Sequence, residues 1–295
     1  MFSSYYWYLF YLCFVPIFIK LYWKLSTRWN RSYTCLVGKT AIVTGANTGL
    51  GYYTALDFAK RGAKVILACR NKAKAEAACQ KIIKETSNKN VFYKLVDMAS
   101  LESVRNFASE INLVEERLDI LVNNAGLGFL EQDYTEDEIQ FLLQVNHIAP
   151  FLLTHLLIGK LRHSAPSRII NVASIAASRS KLTAGNLHKI NEVPEITVSK
   201  VLRDSQVYGT TKLCNILFTT ELAGKLRGSG VTVNCLHPGV IYTEFFRGLN
   251  GILKMAASFV GQLLLLTAEE GAQTQIYLAV SKDVEGISGG LFANC

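Results

Sequence analysis

A short apolar run, TAIVT (40–44), passes without a break into Gly45-Ala46-Asn47-Thr48-Gly49-Leu50-Gly51, and the residues after it have helical texture. No other feature restricts the fold as much. Three glycines where a strand turns into a helix let the backbone come close to a phosphate, whose charge the helix N-terminus meets. Glycines also mark ordinary tight turns, so the weight of the pattern comes from its place after the first strand of a βαβ unit. The rest of the chain keeps the alternation. KVILACR (64–70), VFYKLVD (91–97), LDILVNN (118–124), SRIINVAS (167–174), VTVNCL (231–236) and GGLFAN (289–294) read as further strands. Helical stretches lie between them, the first over 49–61 and the second running to about residue 86. Near-continuous apolar strands separated by helices predict an α/β fold, a doubly wound parallel sheet covered on both faces, as one domain over 38–295.

Composition bears this out and removes other classes. Half of the 295 residues are apolar and 18% are charged, which excludes a disordered or fibrous chain. The net charge of +8 suggests nucleic acid until it is located. Residues 1–40 hold Lys20, Lys24, Arg28, Arg31 and Lys39 and no acid, while the remaining 255 carry 26 basic and 23 acidic side chains. No nucleic-acid partner is expected. The seven cysteines are scattered without a CxxC pair and the five histidines form no HExxH, so reduced thiols and no metal site are expected.

Residues 1–19 contain no charged side chain, and 11 of the 31 aromatic residues fall in the first 23 positions, clustered at Tyr5–Tyr8 and Tyr22–Trp23. A helix of that length reaches just under ~30 Å, about a bilayer core, and Tyr and Trp favour the headgroup region. A cleaved signal peptide would carry its basic residues before the apolar run, whereas here they follow it. Residues 1–23 are therefore expected to form a signal-anchor helix and 24–37 a basic linker, a hairpin or interfacial anchor being the alternative. By the positive-inside rule the domain then faces the cytosol. The expected location is a membrane, that of the endoplasmic reticulum, crossed once.

The GxxxGxG spacing of the turn, with Asn123-Asn124-Ala125-Gly126 after the fourth strand, resembles the short-chain dehydrogenase/reductase family over essentially residues 38–294. The resemblance implies a Rossmann-type domain whose dinucleotide touches Gly45, Asn47, Thr48, Gly49, Leu50 and Gly51 of the turn, and Asn123, Ala125 and Gly126 beyond the fourth strand. Arg70, with Asn71 and Lys72 and no acid before Glu76, closes the second strand. A guanidinium matches a 2′-phosphate in charge and shape, so NADP(H) is favoured over NAD(H), a solvated arginine opening the next helix being the plainer alternative. Asp97 resembles the family's adenine-contacting aspartate, although a strand-end Asp also caps helices. His237-Pro238-Gly239-Val240 resembles the loop that holds the nicotinamide carboxamide, with Pro238, Gly239, Val240 and Thr243 as contacts; a plain Pro-Gly turn is the alternative.

Ser174, Tyr208, Lys212 and Asn146 match the family's catalytic positions. Tyr208 and Lys212 are four apart and share a helix face. A phenol titrates near about 10, and a neighbouring ammonium is expected to lower it and make Tyr208 the general acid/base. Ser174 would hydrogen-bond the substrate oxygen, Lys212 would also hold the cofactor ribose beside Tyr208, and Asn146 would join a proton relay.

The stretch between Ser174 and Tyr208, with an insertion over roughly 178–205, is expected to cross the mouth of the site. With YGTTKLCNILFTTELA and TAEEGAQTQIYLA it looks like the retinol dehydrogenase-like branch. That resemblance implies a membrane-anchored enzyme acting on a lipophilic alcohol/aldehyde pair, retinol/retinal-like, as a carbonyl reductase. A sterol, fatty aldehyde or isoprenoid substrate, or a non-catalytic nucleotide-binding scaffold or redox sensor, are the alternatives. Residues 251–270 read as a substrate-pocket helix, with a second membrane contact as the rival reading. The chain ends at Cys295, where members of the family continue with a helical segment, and a homodimer is left open.

Overall fold

A computed structural model of the chain describes residues 18, 29–130, 132–195, 199–239, 241 and 265–295. The expected anchor over 1–23 (Phe18 apart), Val240, Thr243 and 251–264 lie outside the described residues.

Successive side chains of β1 (Thr40–Thr44) point to opposite faces, and both faces are covered. Ala41 and Val43 enter one apolar layer and Ile42 the other, which is why the run is apolar without alternation. The same holds along β2 (Lys64–Cys69), where Val65 and Leu67 face one layer and Ile66 and Ala68 the other. The chain continues through α1 (Gly49–Lys60), between these two strands, and α2 (Lys72–Thr86) to β3 (Val91–Leu95) and α3 (Leu101–Val114). Then come β4 (Ile120–Asn123), α4 (Phe141–His163), β5 (Ser167–Val172), α5 (Lys200–Lys225), β6 (Val231–Leu236), α6 (Ala268–Val280) and β7 (Leu291–Phe292).

Among the described residues the sheet has seven strands in the order β3-β2-β1-β4-β5-β6-β7, every pair parallel. Helices α1, α2 and α6 cover one face and α3, α4 and α5 the other. This is the Rossmann-type, doubly wound single domain expected from the sequence. After β3 the chain crosses to the far side of β1, so the order reverses between β1 and β4 and a crevice opens at their C-terminal ends.

Several strands are shorter than their apolar runs, because their last residues leave the ladder to build loops at that crevice. Val96 and Ala173 still donate to Cys69 and Leu236 before turning away. Helix α4 is long and apolar enough to cross a membrane by length and composition. Its Leu142, Leu153, Leu157 and Leu161 are nevertheless fully buried against the sheet, each such side chain worth about 1.5–3 kcal/mol, and it is a core helix. Within it Gln144–Ile148 form one π turn.

The 178–205 stretch is not a plain polar crossing. It begins within a 3₁₀ turn, Ile175–Arg179, contains a second, Ala184–Lys189, and ends as the first turns of α5, capped by Ser199. Asn191 accepts from the Gln140 N–H at 2.8 Å and donates to the Glu138 carbonyl at 3.1 Å, which ties this stretch to the approach to α4. At the opposite, N-terminal edge of the sheet, Leu36 is buried and donates to the Arg61 carbonyl. Residues 29–37 thus lie against the domain instead of hanging free.

Candidate active site

Backbone conformation at the glycine turn depends on glycine where φ is positive, at Gly45 (66°) and Gly49 (61°). Gly51 has another reason: a Cβ there would lie 2.6 Å from both the Gly45 carbonyl and Asn124 Nδ2. Thr48 is the N-cap of α1, yet its side chain makes no capping bond, and the first turn carries no acid. Helix N–H donors left without a side-chain acceptor, beside backbone free of Cβ atoms, fit a dinucleotide diphosphate. Asn47 is half-buried and Leu50 packs on the α1/α6 layer.

The turn is held from β4. Asn124 donates from Nδ2 to the Thr44 carbonyl at 2.8 Å, and the N–H groups of Asn124 and Ala125 donate to Thr44 Oγ1 at 3.0 and 2.9 Å. Gln275 of α6, fully buried, donates to Asn124 Oδ1 at 3.4 Å. Asn123, by contrast, faces away from the turn. Its Nδ2 donates to Thr154 and to Asn171 of β5, so it spans sheet and helix. Thr44, Asn124 and Gln275 are the residues that sequence reasoning missed. Asn124 was within reach, since it stands in the quoted motif.

Arg70 is exposed directly after β2, beside Cys69, whose thiol accepts from the N–H groups of Ala46 and Asn47. Asp97 accepts from the Ala99 N–H at 2.9 Å, a bond that shapes the turn before α3. Gly239, at φ 83°, follows Pro238 beyond β6, where a Cβ would meet Leu266 at 2.7 Å.

The four residues singled out for chemistry converge at the C-terminal end of β5. Ser174 caps a 3₁₀ turn by accepting from the Ala176 N–H at 3.2 Å, and its hydroxyl shares a hydrogen bond with the Tyr208 phenol. Lys212 is buried, donates to the Val172 carbonyl at 2.8 Å and stands over the Tyr208 ring, 5.5 Å from its centroid. Asn146, in the π turn, accepts from the Leu127 N–H at 2.8 Å and donates to the Leu127 carbonyl and to Thr211. Its carbonyl takes the Asn215 amide at 2.9 Å. A Cβ at Gly126 would lie 3.2 Å from Asn146 Oδ1 and 3.4 Å from Lys212 Nζ, so these groups gather around one backbone position next to the glycine turn.

Electrostatics depart from the expectation of a lowered phenol. Burial raises Tyr208, and the Ser174 bond offsets only part of that. Burial also pushes Lys212 down to about 8, from 10.5. The ammonium spends its bond on Val172 and sits over the ring, not at the hydroxyl, so desolvation governs both groups. One further glycine went unnoticed in the sequence. A Cβ at Gly209 would lie 2.5 Å from the Ala176 carbonyl, so only glycine lets α5 approach the Ser174 loop this closely.

Known proteins resemble the chain in sequence and in fold. The family described as short chain dehydrogenase matches residues 39–185. Cattle dehydrogenase/reductase SDR family member 13 (Bos taurus) is 43% identical over 266 residues, covering 90% of this chain and 68% of that protein. Mouse retinol dehydrogenase 11 (Mus musculus) is 41% identical over 279 residues, covering 94% and 84%. In fold, the chain is similar to L-sorbose reductase from Gluconobacter frateurii, with a TM-score of 0.69 at 24% identity over 88% of this chain and 96% of that one. The chain belongs to the short-chain dehydrogenase/reductase family, in its retinol dehydrogenase-like branch of oxidoreductases acting on CH–OH groups.

Proposed function

We propose that the protein is a membrane-held carbonyl reductase that prefers NADPH and acts on retinal or a similarly lipophilic aldehyde. The observation that carries this reading is the hydrogen-bonded Ser174–Tyr208 pair, backed by buried Lys212, beside a helix N-terminus without a side-chain cap. The family's nicotinamide dinucleotide supplies the hydride when bound. Gly45, Gly49 and the first N–H groups of α1 hold its diphosphate, and Arg70 takes the 2′-phosphate. Tyr208, kept protonated by burial, gives its proton to the carbonyl oxygen of the substrate. Ser174 donates to the same oxygen and steadies the negative charge that develops there. Lys212 remains cationic below about pH 8 and, through its bond to the Val172 carbonyl, holds the helix of Tyr208 against the end of β5. Asn146 and Thr211 fix the loop against which these groups pack. The retinoid class rests on the similarity to retinol dehydrogenases. The membrane, with the domain on its cytosolic side, rests on the uncharged residues 1–19 and the basic residues after them.

The test is oxidation of NADPH with all-trans-retinal in detergent, beside NADH, a panel of long-chain aldehydes and the Tyr208→Phe variant. Turnover with NADPH that disappears in Tyr208→Phe is the expected result. Dinucleotide binding without turnover of any carbonyl would replace the enzyme with a nucleotide-binding scaffold. Resistance of the full chain to alkaline carbonate extraction is expected of the anchor, and release would remove it.

A further inference from the structure

Residues 29–37 do more than join two parts of the chain. Arg61, at the C-terminal end of α1, donates to the carbonyls of Ser32 and Thr34 at 2.6 and 3.2 Å and is itself held by Asp57. Ser32 Oγ donates to the Val280 carbonyl, at the C-terminal end of α6. The Asn30 N–H donates to Gln273, seven residues earlier in α6, so the strap climbs about 10 Å along that helix. Its direction is defined, because the start of α6 stands at the active-site edge. A Cβ at Gly271 would touch Leu50 of the glycine turn, and Gln275 bonds Asn124. The uncharged N-terminal segment is therefore joined to the domain by a strap that heads toward the active-site end.

That end has a distinctive surface. Ile175, Leu187, Val201 and Leu202 are large aliphatic side chains more than half exposed, on the stretch between Ser174 and Tyr208. Leu202 lies six residues before Tyr208 on α5, which puts it about 9 Å above the phenol's position along the helix. The same stretch exposes the cations Arg179, Lys181, Lys189 and Lys200 and the acids Glu192 and Glu195, two more positive charges than negative. Aliphatic tips interspersed with lysines suit an anionic lipid surface, where the apolar groups enter the headgroup boundary and the ammonium groups meet phosphates.

We propose that the strap and this rim seat the catalytic domain with its active-site mouth against an anionic bilayer, so that a lipid-soluble substrate enters from the membrane without crossing water. The proposal rests on residues 1–23 being a membrane anchor, and adds which face of the domain the anchor turns toward the lipid.

The test uses the full chain in phosphatidylcholine vesicles with and without phosphatidylserine. Cys13, Cys35 and Cys295 are replaced by serine, and one environment-sensitive thiol label is placed at Leu187→Cys or at Arg227→Cys, on the opposite edge. Lipids with a quencher in the acyl chain are expected to quench the Leu187 label several-fold more than the Arg227 label, and more with phosphatidylserine than without. Arg61→Ala is expected to shrink that contrast while the protein stays carbonate-resistant. Equal quenching of the two labels, stronger quenching at Arg227, or a Leu187 signal that follows protein concentration (the mark of a second copy covering the rim) would overturn the seating alone. Loss of the full chain from the vesicles in carbonate would overturn the anchor, and the seating with it.

Discussion

Lys212 donates from its ammonium to the carbonyl of Val172, two residues before Ser174, so the helix that carries Tyr208 is fastened to the end of the strand that leads into its partner. The buried charge comes at a cost in stability. Its pKa falls from 10.5 to about 8, and the penalty applies while both folded and unfolded chains are protonated. As pH rises from about 8 to 10.5 the folded protein sheds this proton before the unfolded one, so stability rises through that window. At neutral pH the penalty is about 3 kcal/mol, against about 2 kcal/mol for leaving the Val172 carbonyl unpaired. Lys212→Met is expected to abolish turnover yet stabilise the fold by about 1 kcal/mol, and to remove the rise above pH 8. Melting curves between pH 7 and 10 check both, and a clear loss of stability in the variant would contradict the balance.

The contact between Gly209 and the Ala176 carbonyl makes a second expectation. A methyl group 2.5 Å from a backbone oxygen forces the Ser174 loop and α5 apart, and neither can yield by turning a side chain. Gly209→Ala is expected to cost about 1–3 kcal/mol of stability. It is also expected to lower kcat far more than it raises KM, because the Ser174–Tyr208 bond is what it strains. Steady-state kinetics beside thermal melting would show it, and wild-type kcat would be the contrary result.

These two contacts also show where sequence reasoning stops. The strands, their parallel direction and the glycine turn were legible because both faces of the central strands β1, β2, β4, β5 and β6 are buried, and a covered strand must be apolar nearly throughout. The spacing of Tyr208 and Lys212 was legible because four residues close one helical turn. Gly209 was not, because its need arises from Ala176, on a loop that only folding brings near. The direction of the Tyr208 shift was not legible either, since it depends on how deeply the phenol is buried and on the ammonium choosing Val172. The π turn that aims Asn146 at Leu127 leaves no periodic trace over five residues. Nor did composition reveal that residues 29–37, with Arg31 as their one charged side chain, would be clamped by Arg61.

Asn124 provides a third expectation. Its amide bonds the Thr44 carbonyl at the entry to the glycine turn, and it is oriented by Gln275. Asn124→Ala removes a half-buried donor from that carbonyl and is expected to weaken dinucleotide binding by about tenfold, equivalent to about 1.4 kcal/mol. Gln275→Leu is expected to act in the same direction but less, since it works through Asn124. Fluorescence titration with NADPH measures both, and unchanged affinity in Asn124→Ala would show that the turn holds its shape alone.

Arg70 tests the cofactor preference. A carboxylate in its place would repel a 2′-phosphate and accept from ribose hydroxyls. Arg70→Asp is expected to lower kcat/KM with NADPH by at least about tenfold and to raise it with NADH, reversing or levelling the preference. An unchanged ratio of the two would mean that the guanidinium serves only the surface.

At the other edge of the sheet, Asp119 joins the N-terminal residues of the domain to β4. Burial alone would raise its carboxyl. The bonds from Arg117, from the Thr40 N–H and from Lys39 outweigh that and hold it below its ordinary 3.8. The unfolded chain therefore takes up this proton first as pH falls. The stabilisation is whole above the ordinary value and is lost as pH drops through the folded one. Asp119→Asn removes the charge while keeping the shape, and is expected to cost about 2 kcal/mol at neutral pH. The gap between wild type and variant should then narrow below about pH 4, where the wild type loses what the variant never had. Urea unfolding at pH 7 and at pH 3 decides it, and a gap of the same size at both would assign the loss to packing instead of charge.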